Sequence, residues 1–132
     1  MIIGIGTDLV KISRIEDLYK KFSDKFLDRL LAKEEQAKFK EMNKIKGVKY
    51  LAKRFAAKEA LVKSLGTGFN ENVHLKDIAI NNDAKGKPYY YISKKLDKYI
   101  QNTLQIEKYS INLSITDDRE YANAIAIIEK IS

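Results

Sequence analysis

Apolar and polar residues along this chain follow two rhythms, and the changes between them mark its elements. Residues 2–10 run with a period of two: Ile3, Ile5 and Leu9 fall on one side, while Gly4, Gly6 and Asp8 fall on the other, which predicts a strand. Glycines on one strand face leave the backbone bare, so another element can approach closely there, with Asp8 standing near the end of that face. A helical rhythm follows. Ser13 and Glu16, three residues apart, make a capping box, and Leu18 and Phe22 continue at helical spacing. A second helical run through Phe26, Leu30 and Leu31 carries Lys25, Arg29 and Lys33 on its polar side. Residues 34–45 continue as a polar, lysine-rich helix, Gly47 predicts a break, and a long helix spans 48–65 until Gly66 and Gly68 stop it.

Residues 69–77 read as a loop. The period of two returns at Ile78–Asn81 and Tyr89–Ile92, joined by the hairpin signal Asp83-Ala-Lys-Gly86, with Pro88 at a strand start or edge. Ser93 caps a helix over residues 94–104. In the next strand Tyr109, Ile111, Leu113 and Ile115 alternate with polar residues, and the last strand covers 121–129, with Asp117-Asp-Arg-Glu120 as the turn between them. The order β-ααα-ββ-α-ββ lacks the βαβα alternation of a parallel sheet. It predicts one α+β domain over residues 1–132, an antiparallel sheet wrapped around the long helix. The small residues Ala122, Ala124 and Ala126 share one face of the last strand and let that helix come close.

Composition narrows the chemistry. The chain has no cysteine and one histidine, His74, so disulfides, thiolate metal sites and multi-histidine zinc sites are excluded. A metal would be held by oxygen, which points to magnesium or a similar hard cation. No window approaches the roughly 20 apolar residues of a membrane span. The N-terminal residues lack a basic leader and a small-residue cleavage site, so the expected compartment is the cytoplasm. The net charge of +7 favours anionic partners. Basic residues interspersed with acids, and no aromatic nucleic-acid motif, argue against DNA or RNA.

The candidate chemistry lies in two stretches. Glu59 and Lys63 stand one turn apart near the end of the long helix, just before Gly66-Thr-Gly68. Such a pair also occurs on ordinary solvated helix faces, and the glycines also serve as a helix stop; alternatively, their N–H groups cradle a phosphate. Arg54 and Lys58 form either a solvated face or a phosphate contact. Asp8, ending Gly4-Ile-Gly-Thr-Asp8, supplies a second carboxylate.

Taken together, Gly4-Ile-Gly-Thr-Asp8 with Arg14-Ile-Glu16, then Arg54-Phe-Ala-Ala-Lys-Glu-Ala60 and Lys63-Ser-Leu-Gly-Thr-Gly68, closely resemble the small bacterial-type branch of the 4′-phosphopantetheinyl transferases, the holo-acyl-carrier-protein synthases. The likeness runs on through Gly86-Lys-Pro88, Ser114-Ile-Thr116 and Glu120-Tyr-Ala122, over essentially the full length. It implies an enzyme of fatty acid biosynthesis that transfers phosphopantetheine from coenzyme A to a serine of apo-acyl carrier protein, with Mg²⁺. By resemblance, Asp8 and Glu59 hold the metal, and Lys63 binds phosphate or helps the leaving group. Arg54, Lys63, Gly66, Pro88 and Thr116 belong to the coenzyme A pocket. Arg14, Lys25, Phe26 and Arg29 dock the acidic carrier protein. The family's subunits form homotrimers with each active site shared between neighbours. Either Glu59 or a water on the cation takes the serine proton. The sequence departs from the family in one place: Asp117 stands where histidine is usual after the Ser-x-Thr of the penultimate strand. It would repel phosphate or add a metal ligand unless Arg119 or Lys63 neutralised it. That departure keeps open a second reading, a carrier-protein binding module without catalysis.

Overall fold

The computed structural model describes residues 1–68, 70 and 72–132. Its elements are β1 (Ile2–Lys11), α1 (Ile12–Phe22), α2 (Asp24–Leu30), α3 (Lys33–Lys40), α4 (Lys44–Leu65), β2 (Ile78–Asn82), β3 (Pro88–Ile92), α5 (Lys94–Leu104), β4 (Tyr109–Asp117) and β5 (Tyr121–Lys130). The predicted loop over 69–77 contains a 3₁₀ turn, Leu75–Asp77; its residues 69 and 71 lie outside the described residues.

The bare face of β1 is where α4 packs. A Cβ on Gly6 would lie 2.0 Å from the Ala60 carbonyl oxygen, and one on Gly4 2.2 Å from that of Ser64, so only glycine allows this approach. Across the contact, Ala56 and Ala60 of α4 and Ala122, Ala124 and Ala126 of β5 are all fully buried. Small side chains on both surfaces bring the helix axis close to the sheet. The antiparallel strands form two sheets around the helix, a three-stranded one ordered β1-β5-β4 and the hairpin β2-β3. Asp8 is paired with Ala124, and Asp117 with Ala122, so both acids stand at the helix-facing side near one end of the larger sheet. The opposite side of that sheet is bare: Ile5 is 59%, Leu9 62%, Tyr121 38% and Ile125 37% exposed. Among the described residues, no helix is long and apolar enough to cross a membrane.

Two local expectations are corrected. Ser13 is not a cap, because β1 runs straight into α1 at Ile12, whose N–H donates to the Glu120 carbonyl at 2.8 Å. A partner from the β4–β5 turn replaces the capping side chain. Gly47 is not a break either. It lies inside α4, where a Cβ would come within 2.9 Å of the Phe39 ring, so this glycine makes room for an aromatic side chain. The break comes earlier: Asn43 caps α4, its Oδ1 accepting from the Lys46 N–H at 2.9 Å. At the other end Gly66 takes a left-handed conformation (φ 75°) and closes the helix as predicted.

Candidate active site

α4 separates two groups of charged residues. At 100° per residue, Glu59 lies about 140° and Lys63 about 180° around the helix from Arg54. One flank therefore faces the edge strand β1, and the other faces α3 and the β2–β3 hairpin.

On the β1 flank, Lys63 Nζ donates to Asp8 Oδ1 at 3.0 Å and to the Thr7 carbonyl at 3.1 Å. Asp8 is held from behind by Asn123, whose amide donates to the Asp8 carbonyl at 3.1 Å. Its second oxygen, Oδ2, is buried and has no hydrogen-bond partner. Glu59 is half-buried nearby. Burial first, and the negative charge of Asp8 second, push its pKa upward, while Lys63 and Arg14 pull it down. Two carboxylates with an unmet oxygen between them suit a hard cation. No third acid or imidazole joins them: among the described residues, no group of three or more such side chains converges as metal ligands. Gly66 stands one turn beyond Lys63, its N–H on the Lys63 carbonyl at 3.2 Å.

On the other flank a cavity of about 520 Å³ opens between α3, α4, the β2–β3 turn and the end of β4. Five cations line it, Lys38, Lys46, Lys49, Lys53 and Arg54, together with Gly86 and Pro88. The only acid on its wall is Asp117. Its ion-pair partner is Lys53, at 3.8 Å, and not Arg119 or Lys63. Asp117 thus meets a cation one helical turn before Ala57, a pairing that residue spacing alone did not suggest. Such a half-exposed pair is weak and salt-sensitive.

Beneath this cavity lies a charge cluster that the sequence hid. Glu35 of α3 is 1% exposed and Lys58 of α4 is fully buried. Glu35 Oε1 accepts from Lys58 Nζ at 2.5 Å and from the Ala32 N–H at 3.0 Å, and Oε2 accepts from the Ile80 N–H at 3.1 Å. Lys58 also donates to the Leu30 carbonyl at 2.6 Å. Arg54 stacks over the Tyr50 ring at 4.4 Å and donates from Nη2 to the Ile80 carbonyl at 3.4 Å. Its Nε lies 3.1 Å from Glu35 Oε2. That N–H is not aligned on the oxygen, so the contact is an ion pair and not a hydrogen bond. Lys58 is neither of the two things its sequence position suggested, a solvated cation or a phosphate contact.

A third surface adjoins the β1 flank. Leu18, Phe22, Phe26 and Phe55 line an apolar groove of about 610 Å³ whose charged residues are Lys25, Arg29 and Asp28. Arg14 stands over the Phe55 ring at 5.9 Å and so links this groove to Glu59. The structure brings together Arg14, Asp8, Glu59 and Lys63, and separately Lys25, Phe26 and Arg29, and separately again Arg54 and Pro88. Thr116 joins none of them. Alternation along β4 turns it to the exposed sheet side, opposite Ile115 and Asp117.

The family model described as the 4′-phosphopantetheinyl transferase superfamily matches residues 4–126. The holo-(acyl-carrier-protein) synthase of Ehrlichia canis (strain Jake) is 46% identical over 129 residues, covering 97% of this chain and 94% of its own. Among solved structures, the holo-(acyl-carrier-protein) synthase from Neisseria meningitidis superposes with a TM-score of 0.88 at 42% identity, over 98% of this chain and 100% of that one. The Bacillus anthracis holo-(acyl-carrier-protein) synthase, solved in complex with CoA (3′,5′-ADP), gives 0.82 at 34% identity over 99% of each chain.

Proposed function

The chain belongs to the 4′-phosphopantetheinyl transferase superfamily, and on that premise we propose that it transfers the phosphopantetheine arm of coenzyme A to a serine hydroxyl of apo-acyl carrier protein. Adenosine 3′,5′-bisphosphate is the second product. The observation that carries this reading is the group of Asp8, Glu59 and Lys63: two carboxylates, one with an unmet oxygen, beside a cation that is 54% exposed. Relatives of this length and similarity bear the name holo-(acyl-carrier-protein) synthase.

In the reaction the serine oxygen bonds to the pantetheine-bearing phosphorus. The pyrophosphate P–O bond breaks, and its electron pair leaves with the nucleotide. Glu59, half-buried beside Asp8 and within reach of the charge of Arg14, accepts the serine proton. Lys63 steadies the charge on the departing phosphate. Asp8 and Glu59 fit Mg²⁺, which when bound supplies charge neutralisation on the pyrophosphate. Arg54 and Pro88, with the lysines around them, hold the nucleotide end of coenzyme A. Arg14, Lys25, Phe26 and Arg29 receive the acidic carrier protein and present its serine next to Glu59.

The Asp8 group and the Arg54 cavity lie on different sides of α4. The reading therefore includes assembly as a homotrimer, in which the Asp8 flank of one copy meets the Arg54 cavity of the next. The bare apolar side of the β1-β5-β4 sheet, with Ile5, Leu9 and Ile125 exposed, supports such self-association. In that assembly Thr116 faces the neighbouring copy and Gly66 closes the Lys63 end of the site. The enzyme works in the cytoplasm.

The test is the intact mass of apo-acyl carrier protein after incubation with the protein, coenzyme A and Mg²⁺. The expected result is a gain of one phosphopantetheine arm, absent with EDTA. Coenzyme A binding without any mass gain would instead favour a carrier-binding module.

A further inference from the structure

The buried charges under the Arg54 cavity do not cancel. Lys58 and Arg54 carry two positive charges against the single negative charge of Glu35, which leaves +1 in surroundings nearly closed to water. The geometry also divides the carboxylate unequally. Lys58 takes Oε1 with a direct hydrogen bond, whereas Arg54 has only a misaligned approach of Nε to Oε2. Arg54 lines the cavity; Lys58 and Glu35 do not. Glu34, the adjacent acid, is exposed and acts on the cluster only through solvent-screened distance.

We infer that Lys58 is a positioning residue for coenzyme A binding: by sharing Glu35 with Arg54 it leaves the charge of Arg54 only partly compensated and available to an anion in the cavity. Without Lys58, Glu35 would turn to Arg54 alone and the pair would be neutral. The cavity would lose attraction for phosphate although no residue on its wall had changed. This deepens the proposed function and rests on it, since it takes the nucleotide end of coenzyme A as the occupant of the cavity.

An electrostatic role gives a sign pattern that a scaffold role does not. Lys58→Met keeps the side-chain length and removes one charge; it should weaken coenzyme A binding about tenfold, seen in Kd and in KM but not in kcat. Glu35→Gln raises the cluster to +2 and should tighten binding severalfold where the variant folds. The double variant Glu35→Gln/Lys58→Met returns the cluster to +1 and should bind within about twofold of the natural protein. The last two variants also keep the test open, because the double variant leaves no unpaired buried charge at Glu35 or Lys58.

The measurement is calorimetric Kd for coenzyme A across the four proteins, with steady-state KM and kcat and a melting temperature for each. Opposite signs in the single variants with recovery in the double would support the inference. It would be overturned by weakening in both single variants that follows the melting temperature, or by unchanged affinity in Lys58→Met. Absence of coenzyme A binding by the natural protein would overturn the proposed function itself, and this inference with it.

Discussion

Lys58 and Lys63 sit on the same helix, five residues apart, and each meets a carboxylate from another element. Lys58 is fully buried, and its partner Glu35 has both oxygens occupied by donors. Lys63 is 54% exposed, and its partner Asp8 keeps one oxygen unmet. The difference separates two uses of charge. A buried carboxylate with both oxygens taken fixes α3, α4 and β2 in register, because any charge of the cluster left alone would carry a large desolvation cost. A carboxylate with one oxygen unmet, paired to a cation that reaches into solvent, stays free to take a ligand.

The sharpest way to break that comparison is to remove one acid from each side. Asp8→Asn should cut transfer on the order of a thousandfold. Its stability to urea should stay within about 1 kcal/mol of the natural protein, since the Lys63 side of the pair is 54% exposed and asparagine keeps the shape of the Asp8 side chain. Glu35→Ala should do the reverse in kind, costing about 3–5 kcal/mol of stability by leaving two buried cations against no acid. A strongly destabilised Asp8→Asn, or a Glu35→Ala of natural stability, would erase the distinction.

Glu59 offers a finer probe. Its pKa is raised by burial and then by Asp8. Its carboxyl resonance should therefore titrate above the ordinary 4.5 without a divalent cation, and move down when Mg²⁺ is added. The sign for stability follows: folding favours the protonated acid, so this contribution is fully present below pH 4.5 and is lost as pH rises through the higher folded value. Addition of Mg²⁺ that left the titration unchanged would remove Glu59 from the metal site. The smallest effect belongs to Asp117. Its pair with Lys53 is 3.8 Å long and partly exposed, so Asp117→Asn should change KM for coenzyme A by less than about threefold.

Much of this was legible from residue order. Gly4 and Gly6 on one strand face, and Ala122, Ala124 and Ala126 on another, announced a close helix–sheet contact because nothing else explains two bare faces. Asp8, Glu59 and Lys63 stood out through resemblance to the family's motifs; their spacing alone also fitted an ordinary strand end and a solvated helix pair. Lys58 was not legible. In a chain with 25 lysines and arginines, a buried one differs from its neighbours only by its partner, and Glu35 lies 23 residues away on another helix. Ser13 and Gly47 misled for a related reason. Each has a strong local meaning that a tertiary partner overrode, the Glu120 carbonyl in one case and the Phe39 ring in the other. What each side of α4 faces was equally invisible, since sequence spacing gives angle around a helix but not its neighbours.

On the proposed reading, the Asp8 flank and the Arg54 flank complete one another only between copies. Two variants test it, Glu59→Ala and Arg54→Ala, each assayed alone and then co-produced so that mixed oligomers form. Each alone should be nearly inactive. In mixed trimers, a site is whole when one copy supplies an intact Glu59 and its neighbour an intact Arg54, so about one quarter of the natural activity should return. Mixed oligomers with no more activity than either parent would contradict the claim and place both half-sites within a single chain.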